Sequence, residues 1–292
     1  MKQVIAIFNP TKVAPEDFHQ MVNKAAEKYG FEEPSYLETT ADDPGYQMAD
    51  KAIKAEPDLV LVAGGDGTVR IVCSKLVNTG LPIGLIPAGT GNLLARNLDL
   101  PLNLSEAVDF AFTNTPRPID AIKVIVDGKD DAEHLMVMGG IGFDAQLMND
   151  TNEQLKAVVG SGAYVESFLR NFKAPLRGLR YWVDDDKSHT KKASLTLIAN
   201  VAKLQGGVSL VPTAKPDDGQ LDLLVASPKG LAGWAKMLRK VLFRKHGLTT
   251  AIGKRIRIKM SEPTPYEFDG DTLGEGTYFE FSVVPDSVSI AH

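Results

Sequence analysis

The first third of the chain alternates between the two periods that apolar residues follow in strands and in helices. Val4–Phe8 is a short apolar run, and apolar side chains then recur three and four residues apart from Phe18 to Tyr29, ahead of Gly30. This alternation continues to about residue 86 and predicts an α/β layer on a parallel sheet. The predicted strands are 4–8, 35–40, 58–63 and 82–86, and the predicted helices are 18–29, 46–55 and 68–78.

After about Asp120 the pattern changes to short apolar segments separated by polar turns. Residues 255–260 alternate strictly between charged and apolar side chains, which is the period of a half-buried strand. We predict an antiparallel, β-sandwich-like second domain with inserted helices at about 151–173 and 229–245. A boundary at Thr115-Pro-Arg-Pro118 gives predicted domains of 1–118 and 119–292. The further predicted strands are 122–126, 135–139, 179–183, 193–199, 221–226 and 278–283.

Composition and charge place the chain among ordinary globular proteins. Of its 292 residues 43% are hydrophobic and 24% are charged, which excludes a disordered chain and a disulfide scaffold. The net charge of −5 disfavours a dedicated nucleic-acid binder, and the single Cys73 fits a reducing compartment and a small buried side chain. No apolar run approaches the roughly 18 residues of a membrane span, and the N-terminal run is too short for a signal peptide. We expect a cytoplasmic protein with at most peripheral contact to the inner face of the membrane, and a homodimer stays open.

The segment Gly64-Gly-Asp-Gly-Thr68 directly follows the apolar run 58–63 and precedes a helical pattern. Three glycines in five positions let the backbone approach a ligand closely, and the amides of such a turn suit phosphate. A carboxylate at its centre, Asp66, fits a divalent metal that lies between it and the phosphates. The alternative is a tight strand-to-helix turn in which Asp66 is a helix cap.

A second glycine-rich loop, Pro87-Ala-Gly-Thr-Gly-Asn92, follows the next predicted strand. Open α/β sheets bind ligands at the carboxyl ends of their strands, so two such loops on successive strands can face one ligand. Neither loop is a Walker A sequence, which needs Gly-Lys-Ser/Thr, and neither fits Gly-x-Gly-x-x-Gly. The pair predicts a nucleotide site of another type.

These two loops resemble the catalytic domain shared by diacylglycerol kinases, sphingosine kinases and bacterial lipid kinases. Other segments are similar to the same family in the same order, and together they cover nearly the whole chain. Gly-Gly-Asp-Gly alone also occurs in NAD kinases and phosphofructokinases, so the ordered set carries the resemblance. The other segments are Asn9-Pro10, Thr39-Thr40, Gly140-Ile-Gly-Phe-Asp-Ala145, Asp217-Asp-Gly-Gln-Leu-Asp222 and Phe268-Asp-Gly-Asp271.

The resemblance implies a lipid kinase of two domains. The N-terminal domain would bind ATP, the β-rich domain would bind lipid at a membrane surface and complete the site, and the end of the chain would return toward the first domain. The reaction would be Mg²⁺-dependent transfer of the ATP γ-phosphate to a lipid hydroxyl, with diacylglycerol as the leading acceptor and sphingoid bases next. The implied nucleotide-binding residues are Asn9, Pro10, Thr39, Thr40, Gly64, Gly65, Asp66, Gly67, Thr68, Gly89, Thr90 and Asn92.

Two Asp-Gly segments would complete the chemistry that the resemblance implies. Asp269 and Asp271 would supply the general base, and Asp66 would act on phosphate-bound Mg²⁺ directly or through water. A further, structural Mg²⁺ site would lie in the loop around residue 218. Both segments also fit ordinary turns, because Asp-Gly is a strong hairpin signal and a common turn sequence. The implied metal ligands are the Asp218 side chain and the carbonyl oxygens of Lys215 and Gln220.

Three positions depart from the family's pattern and keep other functions open. Ile71 and Leu93 stand where many bacterial members have an acid, and Asp271 replaces the usual Glu. These departures motivate a nucleotide- or lipid-binding regulator that has lost catalysis. An NAD kinase is less favoured, because its Gly-x-Leu-Gly-Phe-Leu segment is not seen. Two basic amphipathic stretches, 164–180 and 230–245, fit either membrane-facing helices or surface helices packed on the sheet.

Overall fold

The structure, a computed structural model, describes residues 2–129, 132–142, 175–203, 209, 211–227 and 249–292. The chain divides into two compact units, of which the first is Met1–Ala121 with Val284–His292 and the second is Ile122–Val283. The boundary predicted after residue 118 falls within strand β5 (Pro116–Val126), three residues before the division between the units.

The first unit is the predicted α/β layer. Its strands lie side by side in the order β4-β3-β1-β2, and all neighbouring pairs are parallel. Residues Ser289 and Ile290 of the final strand extend this sheet by pairing in parallel with β4. The elements are β1 (Val4–Phe8), α1 (Pro15–Tyr29), β2 (Ser35–Glu38), α2 (Tyr46–Ala55), β3 (Leu59–Gly64), α3 (Asp66–Leu76), β4 (Pro82–Pro87), α4 (Leu93–Asn97) and α5 (Leu104–Thr113).

Local sequence explains most of these boundaries. Helix α1 ends at Gly30, whose left-handed conformation (φ 75°) lets its amide reach back to the last turn, as the sequence predicts. Strand β3 is buried along its whole length, in agreement with its continuous apolar run. Helices α4 and α5 lie outside the elements predicted from periodicity. Helix α5 begins after Asn103, whose side chain accepts hydrogen bonds from the amides of Ser105 and Glu106.

The second unit is built from antiparallel strands, as predicted. Strands follow the order β12-β11-β10-β7-β13-β14, with β8 on β13 and β9 on β8. The inserted helices predicted at 151–173 and 229–245, and with them most of both basic amphipathic stretches, lie outside the described residues. The strands are β5, β6 (Glu133–Leu135), β7 (Met138–Ile141), β8 (Arg177–Val183), β9 (His189–Ala193), β10 (Leu195–Ala199), β11 (Leu221–Ala226), β12 (Thr249–Gly253), β13 (Arg255–Phe268) and β14 (Asp271–Ala291).

Period-two patterning positions the core of this unit. Ile256, Ile258 and Met260 are buried in β13, while Arg255 before them and Lys259 between the last two are exposed. Strand β14 begins in the second unit and its last residues belong to the first. Within the part of the chain that is described, no helix is long and apolar enough to cross a membrane.

Candidate functional site

The carboxyl ends of the four parallel strands bring the predicted nucleotide residues of the first unit to one edge of its sheet. Phe8 at the end of β1 is in register with Glu38 of β2 and with Ala63 of β3. Gly64 is in register with Pro87 of β4. The residues that follow these strands therefore emerge side by side, at the edge where open α/β sheets hold ligands.

The two glycine turns touch each other through their backbones. A Cβ atom at Gly89 would lie 2.6 Å from the Cα atom of Gly65, so a side chain at Gly89 would force the turns apart. The amide of Ala88 also donates to the carbonyl oxygen of Gly64 at 2.9 Å. Thr68 is buried and lies over Gly64. A Cβ atom at Gly64 would be 2.7 Å from the Cβ atom of Thr68, so this packing requires glycine at position 64.

Asp66 joins the two turns through its side chain. It is the first residue of α3, yet its Oδ2 accepts the amide of Asn92 at 2.9 Å and its Oδ1 accepts the amide of Leu93 at 2.6 Å. A Cβ atom at Gly91 would lie 2.4 Å from Oδ2, so only glycine leaves room for this carboxylate. The Asp66 carboxylate thus accepts from the two amides at the start of α4.

Asn92 holds the second turn in shape. It adopts a left-handed conformation (φ 49°), and its side chain both accepts from the Gly89 amide at 2.9 Å and donates to the Gly89 carbonyl at 2.8 Å. Thr90 lies between these anchored residues and is exposed. Helix α3 begins at Asp66, and the start of a helix is a place where backbone amides and the helix dipole suit an anion.

The predicted residues after β1 and β2 differ in accessibility. Asn9 turns its Oδ1 toward Thr11, accepting from the amide at 2.9 Å and the hydroxyl at 2.7 Å. Pro10 beside it is half-buried. Thr39 is buried with 3% of its surface exposed, whereas Thr40 is exposed and its hydroxyl accepts the amide of Asp43 at 3.0 Å.

In the second unit, Asp269 and Gly270 form the two-residue turn that joins β13 to β14. Both have positive φ, 48° and 95°, as a type I′ hairpin requires. The Asp269 carboxylate is buried and accepts three backbone amides, those of Met136 at 2.8 Å, Val137 at 3.0 Å and Met138 at 2.8 Å. Its oxygens are thus largely occupied by the chain itself.

Asp271 begins β14 directly after this turn and is partly exposed. Beside it the structure reveals a carboxylate that the sequence analysis missed, Glu267. It is buried in β13 and its Oε2 accepts the Gly270 amide at 2.9 Å. Burial raises the pKa of Glu267 to about 7; the Gly270 amide opposes this, and the charges of Asp269 and Asp271 add to it. The sequence did contain a signal for this residue, because Glu267 is a single acid between Tyr266 and Phe268, directly before the Asp-Gly turn.

The predicted metal loop is an exposed turn. Asp218 is exposed, its Oδ1 accepts the Gln220 amide at 3.1 Å, and Gly219 has φ 68°. Nearby, Asp222 is buried and accepts the Thr213 hydroxyl. Burial raises the pKa of Asp222; the Thr213 bond opposes this, and the charge of Asp218 adds to it. Among the described residues no group of three or more His, Cys, Asp or Glu side chains is arranged to hold a metal.

An oxygen-only ligand set at the Asp218 loop is compatible with Mg²⁺, which prefers hard ligands. Lys215 and Gln220 would contribute carbonyl oxygens, and Asp218 would contribute the carboxylate. In the segment 140–145, the glycines belong to the end of β7 and its turn, whereas 143–145 lie outside the described residues.

Comparison with known proteins matches the chain to two family descriptions, one for each part of the sequence. Residues 3–124 match the family described as diacylglycerol kinase catalytic domain, and residues 137–292 match the YegS C-terminal NAD kinase beta sandwich-like domain. The chain is similar to a diacylglycerol kinase of Bacillus subtilis, with 26% identity over 285 residues that cover 94% of this chain and 91% of the relative. It is also similar to a diacylglycerol kinase of Staphylococcus epidermidis, with 30% identity over 239 residues that cover 79% of this chain and 72% of the relative.

Solved structures share the fold over the whole length. A crystal structure of a diacylglycerol kinase from Bacillus anthracis superimposes with a TM-score of 0.79 at 22% identity, and the match covers 100% of this chain and 97% of the other. The sequence-based expectation of a two-part α/β and β-rich fold is therefore confirmed.

Proposed function

The chain belongs to the diacylglycerol kinase family of lipid kinases, and from this premise we propose that it transfers the γ-phosphate of ATP to a lipid hydroxyl. Diacylglycerol is the acceptor that we favour, because both relatives named above carry that name, and sphingoid bases come next. Membership of a kinase family makes the chain a phosphotransferase; the nucleotide, metal and acceptor are the proposal.

The observation that carries the proposal is the backbone contact between the glycine turns after β3 and β4. A Cβ atom at Gly89 would collide with the Gly65 Cα atom at 2.6 Å, and one at Gly91 would collide with the Asp66 Oδ2 atom at 2.4 Å, so the turns approach this closely only as glycines. Closely approaching glycine backbone at the start of a helix is a surface that suits polyphosphate. The residues present thus fit ATP, with Asn9, Thr90 and Asn92 at the same sheet edge.

We assign Asp66 a double role. Its carboxylate fixes the second turn through the amides of Asn92 and Leu93, and the same carboxylate would act on a phosphate-bound Mg²⁺ directly or through water. The ion, when bound, neutralises charge on the phosphates. Ile71 and Leu93 are buried apolar residues, so Asp66 carries this role without the acids that many family members have there. The Asp218 loop is proposed as a separate, structural Mg²⁺ site.

Asp271 is the general base that we propose, since it is partly exposed while Asp269 is committed to three backbone amides. In the step, the acceptor hydroxyl oxygen forms a bond to the γ-phosphorus and the bond from that phosphorus to the β–γ bridging oxygen breaks. ADP leaves with the bridging oxygen, and the hydroxyl proton passes to the Asp271 carboxylate. Asp269 is a positioning residue in this scheme.

A lipid substrate requires contact with a membrane surface, and we propose that a basic sheet face in the second unit provides it. Lys259 of β13 lies directly opposite Arg180 of β8, and both are exposed. Lys192 of β9 is exposed on the same side and lies opposite Gly178, two residues along β8 from Arg180. Like charges placed opposite each other destabilise a sheet unless an anion lies over them, and anionic lipid headgroups supply one. Arg257 stacks on Trp182 beside them, 5.6 Å from the ring centre.

The acidic turn 184–186 lies at the other end of this face, so the contact is assigned to its Arg180 end. Vesicle affinity is measured by sedimentation with phosphatidylglycerol vesicles. It should fall at least tenfold in the double variant Arg180→Gln/Lys259→Gln and should also fall for wild type when salt is added. The double variant Lys24→Gln/Lys51→Gln should bind like wild type. Both doubles lose two exposed cations, so equal weakening would contradict the assignment of this face.

Labelled phosphate transfer tests the function itself. Wild-type protein, γ-labelled ATP and Mg²⁺ are incubated with mixed micelles of diacylglycerol or sphingosine, and with NAD⁺ in a separate tube. We expect label on diacylglycerol, with at least a hundredfold loss in Asp271→Asn and none in the exposed control Asp185→Asn. Label on NAD⁺ instead would overturn the lipid assignment. ATP binding without any transfer would favour the regulator, which the departures at Ile71, Leu93 and Asp271 motivate.

A further inference from the structure

Glu267 occupies a place in the second unit that ordinary packing does not call for. It lies in β13 opposite Gly140 of β7 and Thr272 of β14. A Cβ atom at Gly140 would be 2.4 Å from its Oε1, so the strand beside it has room for the carboxylate only because residue 140 is glycine. A buried acid is costly unless its oxygens are used, and here Oε2 accepts the Gly270 amide at 2.9 Å.

The hairpin turn is therefore held from two directions. Asp269 anchors its first residue through the amides of residues 136–138, and Glu267 anchors its second residue, Gly270, through the backbone amide. Asp271 follows Gly270 directly and pairs with Phe268 across the hairpin. Fixing both turn residues fixes the point from which the Asp271 side chain leaves the backbone.

We infer that Glu267 is a positioning residue for Asp271: its carboxylate, with Oε2 bonded to the Gly270 amide and Oε1 packed against Gly140, sets the geometry of the base. The inference rests on the proposed function, in which Asp271 takes the acceptor proton. A displacement of about 1 Å at a reacting group can cost about a hundredfold in rate, so loss of this one hydrogen bond is expected to appear in kcat.

The charges that face Glu267 come from its own hairpin. Asp269 and Asp271 are the acids that act on it, whereas the residue opposite on β7 is Gly140 and the residue opposite on β14 is Thr272. Because two acids lie near position 267, a neutral side chain there that still accepts the hydrogen bond from the Gly270 amide should be tolerated. A neutral acceptor at position 267 therefore distinguishes a role as hydrogen-bond acceptor from a requirement for negative charge.

The experiment compares three substitutions in the full chain with lipid phosphorylation as the assay. Glu267→Met keeps much of the volume but removes the acceptor and should lower kcat at least tenfold with little change in KM for ATP. The side chain in Glu267→Asp is one methylene shorter and cannot reach the Gly270 amide, so this variant should also lower kcat at least tenfold. It provides the same test if the Met variant does not fold. Glu267→Gln keeps the acceptor and should stay within about threefold of wild type. Glu262→Gln and Glu262→Met are controls on the same strand, where Glu262 is exposed.

A second readout does not depend on turnover. Hydrogen exchange of the Gly270 amide should accelerate in Glu267→Met and Glu267→Asp and stay slow in Glu267→Gln. Folded Met and Asp variants with wild-type kcat would overturn the inference, and so would a Gln variant as impaired as the Met variant. If wild type is active and Asp271→Asn is fully active, the base assignment is refuted, and the inference with it. If Asp271→Asn loses activity but the Glu267 variants do not, the proposed function stands and Glu267 has no part in it.

Discussion

The three-amide clamp at Asp269 gives a stability prediction whose size follows from the structure. Met136, Val137 and Met138 are each exposed by 4% or less, so in Asp269→Ala their amides lose their acceptor without free access to water. An unsatisfied buried amide costs about 1–3 kcal/mol, and three of them should cost at least about 3 kcal/mol of unfolding free energy. That is a large part of the 5–15 kcal/mol (roughly) that stabilises a typical domain.

Asp269→Asn should fall between wild type and Asp269→Ala. The amide oxygen can replace Oδ1, which accepts from Val137 and Met138, but its NH₂ group then faces the Met136 amide, donor against donor. We expect a loss of about 1–3 kcal/mol for this variant, since one buried bond is lost and none is charge-assisted.

The assay is urea unfolding at pH 7, followed by far-ultraviolet circular dichroism. Asp271→Ala, two residues away and partly exposed, is the matched control and should cost less than about 1 kcal/mol. Asp269→Ala should thus lose stability, and Asp271→Ala should lose turnover while it remains folded. Equal unfolding free energies for the two Ala variants would refute the reasoning, because the clamp would then contribute nothing beyond an exposed aspartate.

Three further predictions test other parts of the site. Wild type should lose stability relative to Glu267→Gln as pH rises from 4.5 to about 7, because Glu267 ionises first in the unfolded state while burial keeps its pKa in the folded state at about 7. The change in relative unfolding free energy should reach about 3 kcal/mol at most, measured from urea midpoints at pH 4.5 and 8. A difference that does not vary with pH would contradict this prediction. Gly91→Ala should displace Asp66, whose Oδ2 would be 2.4 Å from the new Cβ atom, and weaken ATP binding at least tenfold in calorimetry with unchanged circular dichroism. Mg²⁺ should raise the melting temperature of wild type but not of Asp218→Asn; an equal rise in both would exclude that loop as a metal site.

Local patterns predicted the parts of the fold that depend on neighbours in sequence. The strand β3 and the helix stop at Gly30 follow from an apolar run and from the left-handed conformation that glycine adopts readily. The Asp-Gly turn at 269–270 follows from hairpin stereochemistry in the same way. Helix α5 is as long as the predicted helix α2 and was missed although Asn103 marks its start with a side-chain cap, which is also a local signal.

What the sequence did not predict depends on residues that are far apart along the chain. The Asp269 carboxylate accepts amides from residues more than 130 positions away, so no local spacing distinguishes this anchor from a free base. Glu267 was missed for the same reason, since its burial comes from pairing with β7. Asp66 was identified as a cap or a ligand, but the amides that it satisfies are 26 and 27 residues further on.

The final strand has a consequence for synthesis. Residues 284–292 complete the sheet of the first unit beside β4, yet the ribosome makes them only after the entire second unit. Until then β4 is an unpaired strand edge on a nascent chain, and such edges template aggregation. The first unit therefore depends for its completion on the last part of this sequence to be translated, and a ribosome that stalls shortly before residue 284 would present an apolar edge to chaperones.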